Sequence, residues 1–276
     1  MALNALKHCA RLTSGQAGRV HSVFTHACNL LMPNGELWVV QTREMPLAPN
    51  GIIVDVDDLR LRFIAGTSVA CLPRGGDVLM LGSAPVSTQL ISAGNAANLR
   101  RFASALSVFL AGQPCNGIRL ALQQEPALAD VYQRFTRWLT NGEGDVVPLL
   151  RFLIGRGEGL TPSGDDFLVG VLLVMENWQH PRLSLLRRAI PPLLLATTDI
   201  SREMLGHACQ GRYSQHLLAL MATPAVNFPA VAGYGHTSGL DMLAGMAAAV
   251  SVLYPSYFKL HVRWLCYSAF GLAPPG

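Results

Sequence analysis

The sequence predicts an α+β fold, with an N-terminal β-rich part (an antiparallel sheet or partial barrel) over residues 1–93 and a largely helical part over residues 94–276. Three observations carry this expectation. Short apolar runs between turn signals fill the first third. Apolar residues at three- and four-residue spacing fill the rest. The character changes near Gly94, with no linker-like stretch between the two parts.

In the first part, Ala27 to Met32 and Glu36 to Gln41 flank Pro33-Asn34-Gly35, a hairpin signal because Asn and Gly accept positive φ. A second Pro-Asn-Gly ends at Gly51 and precedes the β-branched run Ile52 to Val56. Leu59 to Ile64, Thr67 to Leu72 and Val78 to Leu81 read as further strands. In the second part, Asn95 to Ala111 places Leu99, Phe102, Leu106 and Phe109/Leu110 near one helical face. Glu125 to Leu139 is a helix ended by Asn141-Gly142, and Val146 to Ile154 begins another. Helices are also expected over Thr161 to Trp178, Arg182 to Ala189, and Pro192 to Gln210 with Gly211 as the stop. Tyr213 to Met221, Ser238 to Leu253 and Tyr257 to Ala269 complete the series.

Composition narrows the function classes. Half of the 276 residues are hydrophobic and 14% are charged, against about 25% charged in average globular usage. Mean hydropathy is +0.31. Such a chain fills a large core and leaves apolar surface to be covered, which points to an oligomer or a subunit of an assembly. The formal charge is +4, but the basic residues form only the doublets Arg100-Arg101 and Arg187-Arg188, so nucleic-acid binding is not expected. Six cysteines are scattered without a C-x-x-C pair and read as reduced, buried thiols. The N-terminal stretch lacks the apolar core of a secretory signal. The apolar run Met242 to Tyr254, broken by Gly245 and Ser251, falls short of the ~20 residues that span a bilayer. A cytoplasmic protein is expected.

The candidate chemistry sits in a motif that occurs twice. Ser163 to Gly170 and Ser238 to Gly245 both read S-G-x-D-x-L-x-G. Glycine-rich stretches precede them, Gly157 to Pro162 and Gly233 to Thr237. Each reads as a loop turning into a buried helix, and helix starts bear free N–H groups and partial positive charge suited to an anion. Capping alone explains one hydroxyl and one acid in each copy. It leaves the glycines, and the second acid of the Asp165-Asp166 pair, to a ligand. Those carboxylates could hold Mg2+ or another divalent cation, accept hydrogen bonds from an amide NH2, or serve the cap. Asp166 matches Asp241 in the second copy and reads as scaffold, leaving Asp165 to face the ligand. His236 is a candidate general acid or base, with a structural loop hydrogen bond as the equal alternative. Gly159, Thr161, Ser163, Gly164, Thr237, Ser238 and Gly239 are candidate substrate or phosphate contacts. Thr198 and Ser201, from the cluster Thr197 to Ser201, join them, although mid-helix hydroxyls often bond the preceding turn. No G-x-x-x-x-G-K-[ST] loop, G-x-S-x-G elbow or H-E-x-x-H helix is present.

The run Leu153 to Gly170, with Thr197 to Ser201 and Gly235 to Gly239 following in order, resembles the AllH family, and the resemblance extends from about Val20 to Leu253. Arg156 and Glu158 depart from the apolar residue and proline expected there. The resemblance implies a subunit of an oxamate carbamoyltransferase in anaerobic allantoin degradation. That enzyme interconverts oxalurate plus phosphate with oxamate plus carbamoyl phosphate. The implied partners are an FdrA-like AllF subunit and an AllG subunit. In that reaction Asp165, with or without a metal, would orient the carbamoyl NH2, and His236 would protonate the departing nitrogen. The alternatives are a non-catalytic binding or scaffold subunit of the same complex, or an independent metal-dependent enzyme on a small amide or phosphate substrate.

Overall fold

The structure is a computed structural model, and it describes residues 3–72, 79–81 and 85–254. The chain divides into two compact units, Met1–Gln89 with Arg212–Leu218, and Leu90–Gly211 with Ala219–Gly276.

The first unit is a curled β-sheet, and the α+β expectation holds. Its strands are β1 (Leu3–Cys9), β2 (Gln16–Val23), β3 (Ala27–Leu31), β4 (Leu37–Thr42), β5 (Gly51–Val54), β6 (Ser68–Leu72), β7 (Leu79–Met80) and β8 (Pro85–Val86). They lie in the order β5-β4-β3-β2-β6-β7-β1-β8, and β1 also pairs with β5, so the sheet curls back on itself. The predicted hairpin is β3–β4, antiparallel from Ala27 opposite Gln41 to Leu31 opposite Leu37. Gly35 closes it at φ 85°, a conformation that a β-carbon would disfavour. β5 runs parallel to β4 and antiparallel to β1. Val20, Leu30, Val40, Ile52, Val54 and Leu59 fill the inside, together with Cys9, Cys28 and Cys71. Burial pushes the Cys28 thiol up to about 12 and the Cys71 thiol up to about 11, which keeps both protonated and unreactive.

One expectation changes here. Leu59 to Ile64 is not a strand: Leu59–Leu61 forms a 3-10 turn because the Asp58 carboxylate accepts the Arg60 amide at 2.9 Å. Residues 212–218 return to this unit. Gln89 bridges to Arg212, the Tyr213 amide donates to the Thr88 carbonyl at 2.9 Å, and the Gln215 amide donates to the Leu47 carbonyl at 2.8 Å.

The second unit is helical. It comprises α1 (Ala96–Ala111), α2 (Gly117–Gln124), α3 (Pro126–Asn141), α4 (Val146–Leu153), α5 (Ser163–Asn177), α6 (Leu183–Ala189), a 3-10 helix (Pro191–Ala196), α7 (Asp199–Cys209), α9 (Pro224–Ala232) and α10 (Ser238–Leu253), with α8 (Gln215–Ala222) beginning in the first unit. Asn95 starts α1 by accepting the Ala97 and Asn98 amides, and Gly142 at φ 81° ends α3. α5 and α10 are buried all round, from Gly164 to Met175 and from Ser238 to Val250. A helix apolar on every side belongs at the centre of a core. The amphipathic α3 packs on this centre, with Tyr132 and Phe135 ring centroids 6.1 and 6.3 Å from Phe167.

The helix expected from Pro192 to Gln210 is two elements. Thr197 is extended, and the Thr198 hydroxyl accepts the Ser201 amide at 3.1 Å to start α7. Capping geometry therefore overrides a continuous helix, and Thr197 to Ser201 is a helix start rather than a mid-helix cluster. The expected helix over Tyr257 to Ala269, with Cys266, lies outside the described residues. Burial likewise pushes Cys209 up to about 12, but Cys115 is exposed, contrary to the expectation for all thiols. No helix among the described residues is long and apolar enough to cross a membrane.

Candidate functional site

The two motif copies form one interlocked unit. Each comprises a short helix, a glycine-rich loop and a long buried helix: α4 leads to α5, and α9 leads to α10. In the second motif position, a β-carbon on Gly164 would stand 2.0 Å from the Leu153 carbonyl oxygen, and one on Gly239 would stand 1.8 Å from that of Val231. In the last position, a β-carbon on Gly170 would stand 1.9 Å from the Met242 oxygen, and one on Gly245 would stand 1.9 Å from the Phe167 oxygen. Phe167 and Met242 are the fifth residues of their motifs, so the last glycine of each copy receives the fifth residue of the other. Close approach of backbone to backbone thus requires these four glycines, where the sequence had suggested approach of a ligand.

The acids follow the same reciprocity. Asp166 and Asp241, the fourth motif residues, are 2% and 0% exposed. Ser238 of the second copy and Thr161 hydrogen-bond to Asp166, while Ser163 of the first copy and Thr237 hydrogen-bond to Asp241. The Ile118 amide at the start of α2 donates to Asp241 Oδ1 at 2.6 Å. Oδ2 of each acid is buried without a hydrogen-bond partner. Burial, reinforced by the neighbouring Asp241 and Asp165 charges, holds Asp166 well above the usual carboxylate range. Burial also raises Asp241, against the Ile118 amide and the two hydroxyls. The Tyr234 phenol, buried near the Asp166 charge, is pushed up to about 12.

Asp165 takes a different part from the one its sequence position suggested. It is 1% exposed, and its carboxylate accepts the Gly155 amide at 2.9 Å, the Ser201 hydroxyl at 2.7 Å and the Thr197 hydroxyl. Asp165 therefore ties the base of the first loop to α7 and does not face the cavity. Thr198 and Ser201 do the same work from behind, because the Thr198 hydroxyl holds the Leu160 carbonyl. Both Asp165 oxygens are taken by protein donors, and among the described residues no three of His, Cys, Asp and Glu are grouped to hold a metal ion.

The two loops border a cavity of about 1030 Å³. Of the residues singled out from sequence, Gly159, Thr161, Ser163, Gly164, His236, Thr237 and Ser238 line it, whereas Asp165, Asp166, Thr198, Ser201 and Gly239 do not. Thr161 Oγ1 and Ser238 Oγ lie 2.9 Å apart and join the two loops. His236 is exposed at the edge. The start of α2 completes the wall with Gly117 and Ile118, an approach the sequence reading missed because Asn116-Gly117 resembles an ordinary turn. Gly117, at φ 51°, leaves the room that Asp241 fills: a β-carbon there would stand 2.2 Å from Oδ1.

The amides of Gly164, Asp165 and Asp166 donate to the carbonyls of Arg156, Pro162 and Pro162, and those of Gly239 and Asp241 donate to Tyr234 and Thr237. These five amides are engaged by their own lead-in loops, whereas those of Ser163 and Ser238, which line the cavity, donate to no backbone carbonyl among the described residues. The amides of residues 157–161 donate to no backbone carbonyl among the described residues. Gly157 and Gly159 sit at φ 115° and 90°, and no atom lies within 4 Å of where a Gly159 β-carbon would be. Successive amides around left-handed positions form a concavity that receives an anion.

Fold and site together define an α+β protein with a cavity lined by hydroxyls and loop amides over a buried acid pair. Residues 153–250 match the family described as oxamate carbamoyltransferase subunit AllH, and residues 2–96 match the AllH family N-terminal domain. The chain belongs to the AllH family. No solved structure matches it.

Proposed function

We propose that this chain supplies the substrate cavity of an oxamate carbamoyltransferase that works with AllF and AllG subunits in allantoin degradation. The observation that carries this reading is the run of unengaged amides at 157–161 beside the Thr161, Ser163, Thr237 and Ser238 hydroxyls, in a chain of the AllH family. The amides suit phosphate or a substrate carboxylate, and hydroxyls suit the carbonyl and NH2 groups of oxalurate.

In the reaction, a hydrogen phosphate oxygen attacks the carbamoyl carbon of oxalurate. The bond from that carbon to the oxamate nitrogen breaks. The nitrogen takes a proton from His236, and the imidazole regains it from the attacking hydrogen phosphate, so charge and protons balance. Loop amides would hold the oxygen that develops negative charge. Asp165 contributes by fixing the loop, and Asp166 and Asp241 contribute by fixing the hydroxyls.

The test is carbamoyl phosphate formation from oxalurate and phosphate by the complex reconstituted with His236→Ala. General acid–base groups contribute about 10²- to 10⁴-fold, and a loss of that size in kcat is expected. Unchanged turnover would remove His236 from the mechanism.

A further inference from the structure

The cavity fits its proposed ligands poorly as it stands. At about 1030 Å³ it lies just above the about 300–1000 Å³ typical for drug-sized molecules, while oxalurate and phosphate have only a few heavy atoms each. Its charge also leaves a doubly charged anion unmatched. Glu125 and Glu158 line it with Arg156. That guanidinium is engaged by the Glu125 carboxylate and lies 4.3 Å over the Phe152 ring. Among the described lining residues, no Lys or Arg remains to meet a doubly charged phosphate, and the proton that the proposed reaction places on His236 offsets no more than the free Glu158 carboxylate. Loop amides carry only partial charges, and a dianion beside the free Glu158 carboxylate needs a further full positive charge nearby. Apolar side chains complete the picture: Leu120 and Leu160, both lining the cavity, are 36% and 49% exposed.

From this we infer that the mouth of the cavity is a docking surface for a partner subunit, which covers Leu120 and Leu160 and inserts an Arg or Lys side chain beside Glu158 and the 157–161 amides. Charge complementarity selects this occupant: the exposed Glu158 carboxylate stands outside the Arg156–Glu125 pair, and an apolar patch with an acidic neighbour suits an interface centred on leucines and arginine. The completed site is then shared, with amides and hydroxyls from this chain and the cation from the partner. The inference takes the identity of the anion from the carbamoyltransferase reading, but the surface itself does not depend on it.

The experiment compares Leu160→Asp, Leu120→Asp and Glu158→Lys with Val108→Asp, an exposed apolar position on α1 (72% exposed). Circular dichroism and thermal unfolding establish that each variant is folded. Assembly with the AllF and AllG subunits is measured by light scattering and titration calorimetry. The three mouth variants are expected to weaken assembly at least about tenfold, the equivalent of about 1.4 kcal/mol, and Val108→Asp to leave it unchanged. Calorimetry with inorganic phosphate is expected to show saturable binding by the complex and none by the isolated chain at millimolar phosphate. Unchanged assembly of folded mouth variants overturns the docking surface, as does equal weakening by Val108→Asp. Saturable phosphate binding by the isolated chain overturns the borrowed cation. Self-association of the isolated chain that Leu160→Asp abolishes overturns the partner in favour of a second copy. A complex that assembles through this mouth yet makes no carbamoyl phosphate leaves the surface standing and removes the carbamoyltransferase reading.

Discussion

Replacing Gly245 with Ala tests the interlocked helices most directly. On an ordinary helix this change stabilises, by roughly 0.5–1 kcal/mol, because Ala loses less backbone freedom on folding. Here the added carbon would lie 1.9 Å from the Phe167 oxygen, whereas ordinary contact begins at 3.4 Å. Relief requires α5 and α10 to separate by about 1.5 Å at the crossing, the difference between those two distances. Overpacking a rigid core costs about 1–3 kcal/mol, and the blocking atom is backbone, which places the expected loss near the upper end. That corresponds to a fall in melting temperature of roughly 5–10 °C for a domain of this size. Gly170→Ala meets the Met242 oxygen at the same 1.9 Å and should cost a similar amount. Separation of the helices relieves both contacts, so the double variant should cost less than the sum of the singles. Urea unfolding of the four proteins measures this cycle. A melting temperature that rises or stays constant in either single variant would refute the argument, and strict additivity would refute the shared crossing.

Three further outcomes follow from the site. Asp165→Ala leaves the Gly155 amide and the Thr197 and Ser201 hydroxyls without their acceptor. A loss of about 2–4 kcal/mol is expected, with faster proteolysis in the loop that follows Gly155; unchanged cleavage would deny Asp165 its anchoring part. Asp166, raised by burial and by nearby acids, keeps a proton in the native state that the unfolded chain sheds above its ordinary value of 3.8. Its contribution is complete below that value and is lost as pH rises through the raised one, with a slope of at most about 1.4 kcal/mol per pH unit. Asp166→Asn should therefore gain stability relative to the parent as pH rises, and urea midpoints independent of pH in both proteins would contradict this. Ser238→Ala removes one hydroxyl from Asp166 and from Thr161. It should raise KM for oxalurate in the assembled enzyme more than it lowers the melting temperature, and an unaltered KM would take Ser238 out of substrate contact.

Much of the fold was legible because local chemistry and tertiary demand agreed. Pro33-Asn34-Gly35 specified its hairpin, and the α10 bounds Ser238 and Leu253 were readable from the motif and its apolar run. α9 was hidden by Pro229, which disfavours a helix interior, and α2 by its brevity and its Asn-Gly start. The return of residues 212–218 to the sheet rests on pairings with residues far away in sequence, which no local pattern reports. The cavity was half legible. Glycines, hydroxyls and His236 were found from their spacing, but Asp165, read as facing the ligand, is turned to the loop base and α7 instead. Sequence could compare the two copies and see that Asp165 had no counterpart. It could not see that Thr197 and Ser201 come from another helix to occupy that carboxylate.

The reciprocal bracing has a consequence for how this protein can vary over time. Ser163 serves the acid at 241 and Ser238 serves the acid at 166, so neither copy carries a complete arrangement of its own. Drift in one copy is felt in the other, and the two stretches are constrained to change as pairs, 163 with 241 and 166 with 238. Duplication ordinarily frees one copy to diverge. Here the exchange of partners has removed that freedom, leaving divergence to the residues outside the exchange, among them Asp165 and His236.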